Sequence, residues 1–291
     1  MATRTTVRKT YKLWVNGEFV RSESGRAYAV HDAAGAFWAN VPQASRKDLR
    51  DAVAAARKAQ AGWAKRTAYN RGQILYRVAE MLETRRDALR AELQAIMGIS
   101  ASDADAELDA SIDRWVYYAG WSDKFGALLS AVNPVAVPMH NFTVPEPTGV
   151  VGIVCPNEAP LISLTSLLAP ILVSGNAAVA ILPEAAPTIG LTFAEVLATS
   201  DLPAGVVNML TGSQAELLPH LATHVEVDAL NLCGVSETER ARYEQLAAEH
   251  VARLHHSPNF SRDEWLSPRA QGLEWIEPFL EFKTVWHPMG W

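Results

Sequence analysis

A repeated alternation of short apolar runs and helical segments, from Thr148 to Gly234, constrains the fold of this chain most strongly. Residues 149–154 form a β-branched apolar run bounded by turn residues, which is typical of a strand buried on both faces. Residues 160–173 are apolar nearly all round and are long enough for a buried helix. The same unit recurs, with strands predicted at 177–182, 206–210 and 227–232 and helices at 187–198 and 215–222. Strands that alternate with helices over short links predict an α/β fold with a Rossmann-like parallel sheet and helices on both faces.

The segments before this core are predicted to contain helices between two extended regions. Residues 1–10 are polar and basic, which predicts a loose arm, and residues 11–20 alternate around Asn16-Gly17, the dipeptide of a tight hairpin turn. Residues 131–146 contain three prolines and are predicted to form edge strands or an arm. Three helices are predicted from the helical spacing of apolar residues: one that Ser45 caps, one long helix over 71–97 and an aromatic-rich helix over 105–125.

Composition and charge argue against several classes of function. The net charge of −6 gives no support for binding nucleic acid or an anionic membrane, since both need clustered Lys and Arg. No run approaches the roughly 18 apolar residues that a membrane span needs. No metal site is predicted, because His220 and His224 lack further ligands in a metal-binding spacing. The only two cysteines, Cys155 and Cys233, end predicted strands, which favours reduced, buried thiols and a cytoplasmic location.

Two motifs within this core resemble a known protein family. Residues 148–156 read Thr-Gly-Val-Val-Gly-Ile-Val-Cys-Pro, and residues 202–212 read Leu-Pro-Ala-Gly-Val-Val-Asn-Met-Leu-Thr-Gly. Both are similar to the nucleotide-binding domain of the NAD(P)-dependent aldehyde dehydrogenases. Further similarity, in the order of the family, lies at 13–20, 117–124 and 280–286. The chain is therefore identified as a truncated, divergent member, and the activity of the family would be NAD(P)-dependent oxidation of aldehydes.

The resemblance implies a division of the chain into five segments. They are the hairpin and helices of the nucleotide-binding domain (1–130), a small antiparallel oligomerisation arm (131–147), the Rossmann-like core (148–254), a linker that replaces the catalytic domain (255–278) and a C-terminal oligomerisation strand (279–291). We expect the linker to pack on the surface because it lacks periodicity. A helix capped by Ser236 is predicted to continue through Leu254.

The resemblance also implies where catalytic residues would lie. In the family, a cysteine attacks the aldehyde and a glutamate activates water, and both lie beyond the position that matches Gly234. No cysteine follows Gly234 here, so we predict no catalytic residue. Cys155 and Cys233 match other family positions and have no neighbouring His or Lys that would lower the thiol pKa. Glu158 matches the oxyanion asparagine, and a carboxylate cannot donate a hydrogen bond there; Asn157 would serve only after a shift of one residue.

The positions that match the cofactor site of the family are altered together. Leu182 replaces a ribose-binding lysine, Gln214 and Leu218 replace glycines, and Gly234-Val235 replaces Gly-Ser. A phosphate site needs free backbone amides, little side-chain bulk and preferably a cation. We therefore expect no bound cofactor, with weak NAD(P) affinity at most. The predicted degraded site comprises Cys155, Pro156, Asn157, Glu158, Leu182, Glu184, Gly212, Gln214, Leu218, Gly234 and Val235.

Three functions remain open on the sequence alone. The first is a non-catalytic subunit, or pseudoenzyme, that assembles with a full-length aldehyde dehydrogenase into a hetero-oligomer as a structural or regulatory partner. The second is a divergent NAD(P)-dependent oxidoreductase acting on aldehydes, and the third is a stand-alone nucleotide-binding sensor. The missing catalytic domain weighs against the second, and the altered turns weigh against the third. We expect residues 279–286 to pair with another polypeptide, because an apolar strand edge is an association site.

Overall fold

The computed structural model describes residues 8–290, which form a central sheet flanked by helices and two small antiparallel sheets. Most of the predicted loose arm, residues 1–10, therefore lies outside the described residues. The strands are β1 (Leu13–Val15), β2 (Glu18–Val20), β3 (Ala27–His31), β4 (Phe37–Pro42), β5 (Ala131–Asn133), β6 (Met139–Pro147), β7 (Val150–Val154), β8 (Ala177–Ile181), β9 (Val207–Leu210), β10 (Ala229–Asn231), β11 (Arg253–His255) and β12 (Leu280–Pro288). The helices are α1 (Arg46–Ala64), α2 (Ala68–Thr84), α3 (Arg86–Met97), α4 (Ala101–Trp121), α5 (Phe125–Leu129), α6 (Pro160–Val173), α7 (Pro187–Leu197), α8 (Gln214–Ala222), α9 (Glu237–Ala248) and α10 (Arg262–Leu266).

The central sheet has seven strands in the order β11-β10-β7-β8-β9-β1-β2. The five strands from β7 to β11 run parallel, and the β1–β2 hairpin joins the edge of β9 in the antiparallel sense. Every residue of β7 and β8 is buried, as their continuous apolar sequence predicts. Asn16 and Gly17 have φ values of 54° and 75°, the geometry of a two-residue hairpin turn. The predicted α/β fold with a Rossmann-like parallel sheet is confirmed.

Helices cover both faces of this sheet. On one face, α2, α3, α4, α6 and α7 form the larger hydrophobic core, and every residue of α6 is buried. On the other face, α1, α8 and α9 pack over the same strands. The side chain of Ser45 accepts hydrogen bonds from the first backbone N–H groups of α1, which confirms the predicted cap. None of the helices in residues 8–290 combines the length and the apolar character that crossing a membrane requires.

Two helix predictions are wrong in their extent. Residues 71–97 form two helices, because Arg85 leaves the helical conformation at φ −102° and ψ 6° between α2 and α3. The apolar spacing continues across this break, since α3 buries its own stripe, and the sequence pattern therefore hides the turn. The predicted helix from Ser236 to Leu254 ends at Ala248. Val251 then adopts a left-handed conformation (φ 64°), and the chain reverses into β11, an additional parallel strand.

The segment between β11 and β12, predicted to be a surface linker, instead packs into the larger core. Trp265 and Ile276 are fully buried in it. Arg114 of α4 holds this segment against the core, because its guanidinium donates hydrogen bonds to three of the segment's carbonyl oxygens. These are the carbonyls of Trp265 (3.2 Å), Ser267 (3.2 Å) and Ala270 (2.7 Å). These contacts are tertiary, so a segment without periodicity gives no local sign of them. We call residues 256–279 the cap segment.

The remaining strands form a separate three-stranded antiparallel sheet in the order β12-β6-β5, which we call the arm. Nine consecutive residues of β12 pair with β6, so this strand already has a partner within the chain. Among residues 8–290, no strand pairs with the outer edge of β12. Phe279, predicted to lie on an exposed edge, is instead buried, whereas Phe282 and Trp286 are exposed.

Candidate functional site

The predicted site residues come together at one edge of the central sheet. Parallel strands present their carboxyl ends at the same edge, where ligands of such sheets bind. Residues 155–158 follow β7, residues 182–184 follow β8, residues 212–214 follow β9 and residues 234–235 follow β10. The exception is Leu218, which lies inside α8 and is buried in the smaller core.

A crevice of about 520 Å³ opens at this edge. Four of its lining residues were predicted from the sequence, namely Pro156, Asn157, Glu158 and Gly234. Three more belong to the cap segment and were missed, namely Asn259, Phe260 and Ser261. They reach the crevice because β11 runs parallel to β10 and delivers the chain to the same edge. The sequence offered no signal for them, since the cap segment has no periodic pattern.

Hydrogen bonds link the loops that follow β7, β8 and β9. The Asn157 side-chain oxygen accepts from the Ala185 N–H at 3.3 Å, which joins the first loop to the second. The Glu184 carboxylate accepts from the Gln214 N–H at 2.5 Å, at the start of α8. The Gln214 side-chain amide donates to the Cys155 carbonyl oxygen at 3.1 Å. These bonds engage polar groups of three loops at this edge, and the first N–H of α8 already has an anionic partner.

The two cysteines are free, buried thiols. Burial raises the pKa of the Cys155 thiol far above its usual range, and it raises the pKa of Cys233 to about 12. The Cys233 thiol also contacts the Pro258 carbonyl oxygen at 3.6 Å. A thiolate is the reactive form, so the raised pKa values disfavour the nucleophilic form of both groups. Neither residue lines the crevice.

The residues that match the cofactor positions have packing roles. Leu182 is fully buried, and a β-carbon added at Gly190 would lie only 2.6 Å from a methyl group of Leu182. At Gly234, an added β-carbon would lie 2.5 Å from the Cys155 carbonyl oxygen, so close backbone approach requires glycine there. The first turn of α9 carries Glu237 and Glu239, whose negative charges oppose an anion at the helix N-terminus.

Glu107 of α4 is a site residue that the sequence did not reveal. Its carboxylate is buried and accepts hydrogen bonds from the N–H groups of Leu161 (2.9 Å) and Ile162 (3.4 Å), the first turn of α6. Glu107 therefore already occupies these donors. Burial, opposed in part by these bonds, raises the pKa of the Glu107 carboxyl.

We expect Glu107→Gln to stabilise the protein increasingly as the pH rises above 4.5, the usual pKa of this carboxyl. A raised pKa in the folded state means that the folded protein holds this proton more tightly than the unfolded chain. Stability contributed by Glu107 is therefore full at low pH and falls as the pH rises towards the folded pKa, whereas glutamine keeps the acceptor without the charge. Urea denaturation at pH 4.5 and pH 8 measures the difference. Glu249→Gln, at an exposed position, is the control, and a pH-independent difference for Glu107→Gln would contradict the assignment.

No group of three or more His, Cys, Asp or Glu side chains suited to a metal ion occurs within residues 8–290.

Comparison with known proteins gives consistent matches. Residues 19–257 match the family model described as "Aldehyde dehydrogenase family". The chain is 32% identical over 264 residues to cytosolic 10-formyltetrahydrofolate dehydrogenase of Mus musculus, covering 86% of this chain and 28% of that protein. It is 32% identical over 244 residues to mitochondrial benzaldehyde dehydrogenase of Antirrhinum majus, covering 82% of this chain and 45% of that protein. The NAD+ complex of an aldehyde dehydrogenase from Bacillus cereus aligns with a TM-score of 0.80 and 27% identity, covering 85% of this chain and 50% of that one. The chain thus spans half or less of the length of these proteins.

Proposed function

Because the chain belongs to the aldehyde dehydrogenase family, we propose that it is a non-catalytic subunit that assembles with a full-length aldehyde dehydrogenase into a hetero-oligomer. The observation that carries this proposal is the arm. Its longest outer strand, β12, has a free edge among the described residues and exposes Phe282 (44%) and Trp286 (54%). A long strand edge with exposed aromatic residues is an association site, since its unpaired N–H and C=O groups can extend a second sheet.

The chemistry of the crevice supports a non-catalytic role. Its lining contains no cysteine, and Glu158 contributes a carboxylate where acyl transfer would need a hydrogen-bond donor. The N–H groups of the first turn of α6, which could stabilise an oxyanion, already bind Glu107. A cytoplasmic location is part of the same proposal, supported by two free thiols that are buried rather than paired.

Co-expression with the full-length aldehyde dehydrogenase of the same cell tests the proposal. We expect the two chains to co-purify in a fixed ratio and the isolated chain to oxidise no aldehyde. Elution of the chain alone, with NAD-dependent turnover of aldehydes, would replace the proposal with the oxidoreductase alternative. Elution alone without turnover, but with micromolar NAD affinity, would support the nucleotide sensor instead.

We propose that NAD(P) binds weakly, because the Gln214 side chain bridges to the Cys155 carbonyl oxygen and Glu184 occupies the first N–H of α8. We expect calorimetry to give a dissociation constant above about 1 mM, which corresponds to roughly −4 kcal/mol. Gln214→Ala should strengthen binding, because it removes the side chain that bridges to the Cys155 carbonyl oxygen. Gln245→Ala, on an exposed position of α9, is the matched control. Micromolar affinity in the unchanged chain would contradict the prediction.

Introducing the lysine of the family at position 182 is not expected to strengthen NAD(P) binding. Leu182 is fully buried against Gly190, so Leu182→Lys would place an ammonium group in the larger core. An unpaired buried charge is costly, and we expect this variant to lose stability rather than to gain affinity.

A further inference from the structure

The last residue pairs of the arm place three soft metal ligands on one face of the sheet. His287 of β12 lies directly opposite His140 of β6. The N–H of Met289 donates to the Pro138 carbonyl oxygen at 3.1 Å, so the same register continues beyond Pro288. Because side chains alternate between faces along a strand, Met289 shares the face of His287. The two imidazoles and the thioether therefore lie on adjacent positions of one face.

Strand geometry places the β-carbons of these three residues within reach of one ion. Directly opposite residues of an antiparallel pair have β-carbons about 4.5–5.5 Å apart, and residues two apart on one strand are roughly 6.5 Å apart. All three side chains are exposed, with Met289 at 52%, so they can rotate without displacing the core. The ring of His140 rests against Phe142, with 5.3 Å between the ring centroids. A site therefore forms by side-chain rotation on a fixed backbone.

The ligand types select copper. Imidazole suits Cu, Ni and Zn, and a thioether favours Cu(I), whereas Mg and Ca prefer carboxylate and carbonyl oxygens. Two carboxylates of β6 and β12 share this face, and each already has an ion-pair partner: Glu146 pairs with Lys283 at 3.1 Å and Glu281 with Arg253 at 2.6 Å. Met289 also lines an apolar hollow of about 520 Å³ with residues 135–138, which places the thioether beside an apolar surface.

We propose that His140, His287 and Met289 bind one copper ion as Cu(I), and that the two imidazoles alone hold Ni(II) or Cu(II). This site lies on the arm, away from the crevice, and it does not depend on the subunit function proposed above. The copper ion would bind to side chains of the arm that remain exposed after β6 and β12 have paired.

Titration of the full chain with Cu(I), in anaerobic competition with bicinchoninate, tests the proposal. We expect one equivalent of Cu(I) to bind. His140→Asn and His287→Asn should each weaken binding by roughly 100-fold, because each removes half of a chelating pair. Met289→Leu should weaken Cu(I) binding and leave Ni(II) binding unchanged, since the thioether contributes only to the soft ion.

His31→Asn is the matched control, because His31 is an exposed strand histidine that lies opposite Phe37 rather than a second histidine. It should leave Cu(I) affinity unchanged. The proposal is overturned if the unchanged chain binds no Cu(I) at micromolar concentration. It is also overturned if the double variant His140→Asn/His287→Asn retains the affinity, or if Cys155→Ser or Cys233→Ser abolishes it.

Discussion

Replacing Thr284 with proline is expected to abolish co-elution of the chain with a full-length aldehyde dehydrogenase. In the ladder between β6 and β12, the Thr148 N–H bonds to the Phe279 carbonyl (3.2 Å) and the Met289 N–H bonds to the Pro138 carbonyl (3.1 Å). Hydrogen bonding alternates along an antiparallel strand, so odd-numbered residues of β12 bond to β6 and even-numbered N–H groups face the free edge. Proline at 284 removes one outward donor and spares the bonds to β6.

Thr284→Ala separates this effect from loss of the side chain. Alanine removes the same hydroxyl, which lies 2.9 Å from the Thr143 hydroxyl, but keeps the backbone N–H. We expect the alanine variant to co-elute like the unchanged chain and the proline variant to elute alone. Size-exclusion chromatography with light scattering after co-expression is the measurement. Co-elution of the proline variant at the usual ratio would show that the partner does not use this edge.

Arg114→Ala is expected to produce the largest loss of stability of any single substitution proposed for this chain. The guanidinium is buried and donates to three carbonyl oxygens of the cap segment, and it also contacts the Ser166 hydroxyl. Burial lowers the pKa of Arg114 to about 10, so the group stays cationic at neutral pH. Alanine would leave buried carbonyl groups without donors, at a cost of about 3–5 kcal/mol in the free energy of unfolding.

Urea denaturation followed by tryptophan fluorescence measures this loss, since Trp265 lies in the cap segment itself. Arg50→Ala is the matched control, because Arg50 is 63% exposed and its salt bridge within residues 8–290 is an exposed one to Asp51 at 3.4 Å. That substitution should change stability by less than about 0.5 kcal/mol. If Arg114→Ala falls within the same range, the guanidinium does not hold the cap segment in place.

The alternation of strands and helices was readable from the sequence because its signal is local. The strand within 149–154 and the helix Pro160–Val173 are buried at every position, and their sequences are largely apolar. Composition and length alone therefore predict them. Family membership, expected from the motifs at 148–156 and 202–212, is confirmed by the match over residues 19–257. The candidate site residues were named from the family resemblance, and the fold places most of them at the edge where the parallel strands present their carboxyl ends.

Other features could not be predicted from the sequence, because they depend on contacts between residues that lie far apart along the chain. The turn at Arg85 leaves the apolar spacing unbroken, and β11 exists because Val251 reverses the chain beside β10. The burial of Trp265 depends on α4 and α6, which precede it by about a hundred residues or more, and local periodicity records nothing of such contacts.

Within the site, the sequence named the residues and tertiary packing assigned their roles. That Leu182, Gln214 and Glu158 depart from the family could be read directly from their identities. Only the folded chain decides that Leu182 belongs to the core, that Gln214 bridges to the Cys155 carbonyl, and that Glu107 occupies the start of α6. Residue type sets which bonds a side chain can make, whereas burial and distance, which arise between distant segments, decide which bonds it does make.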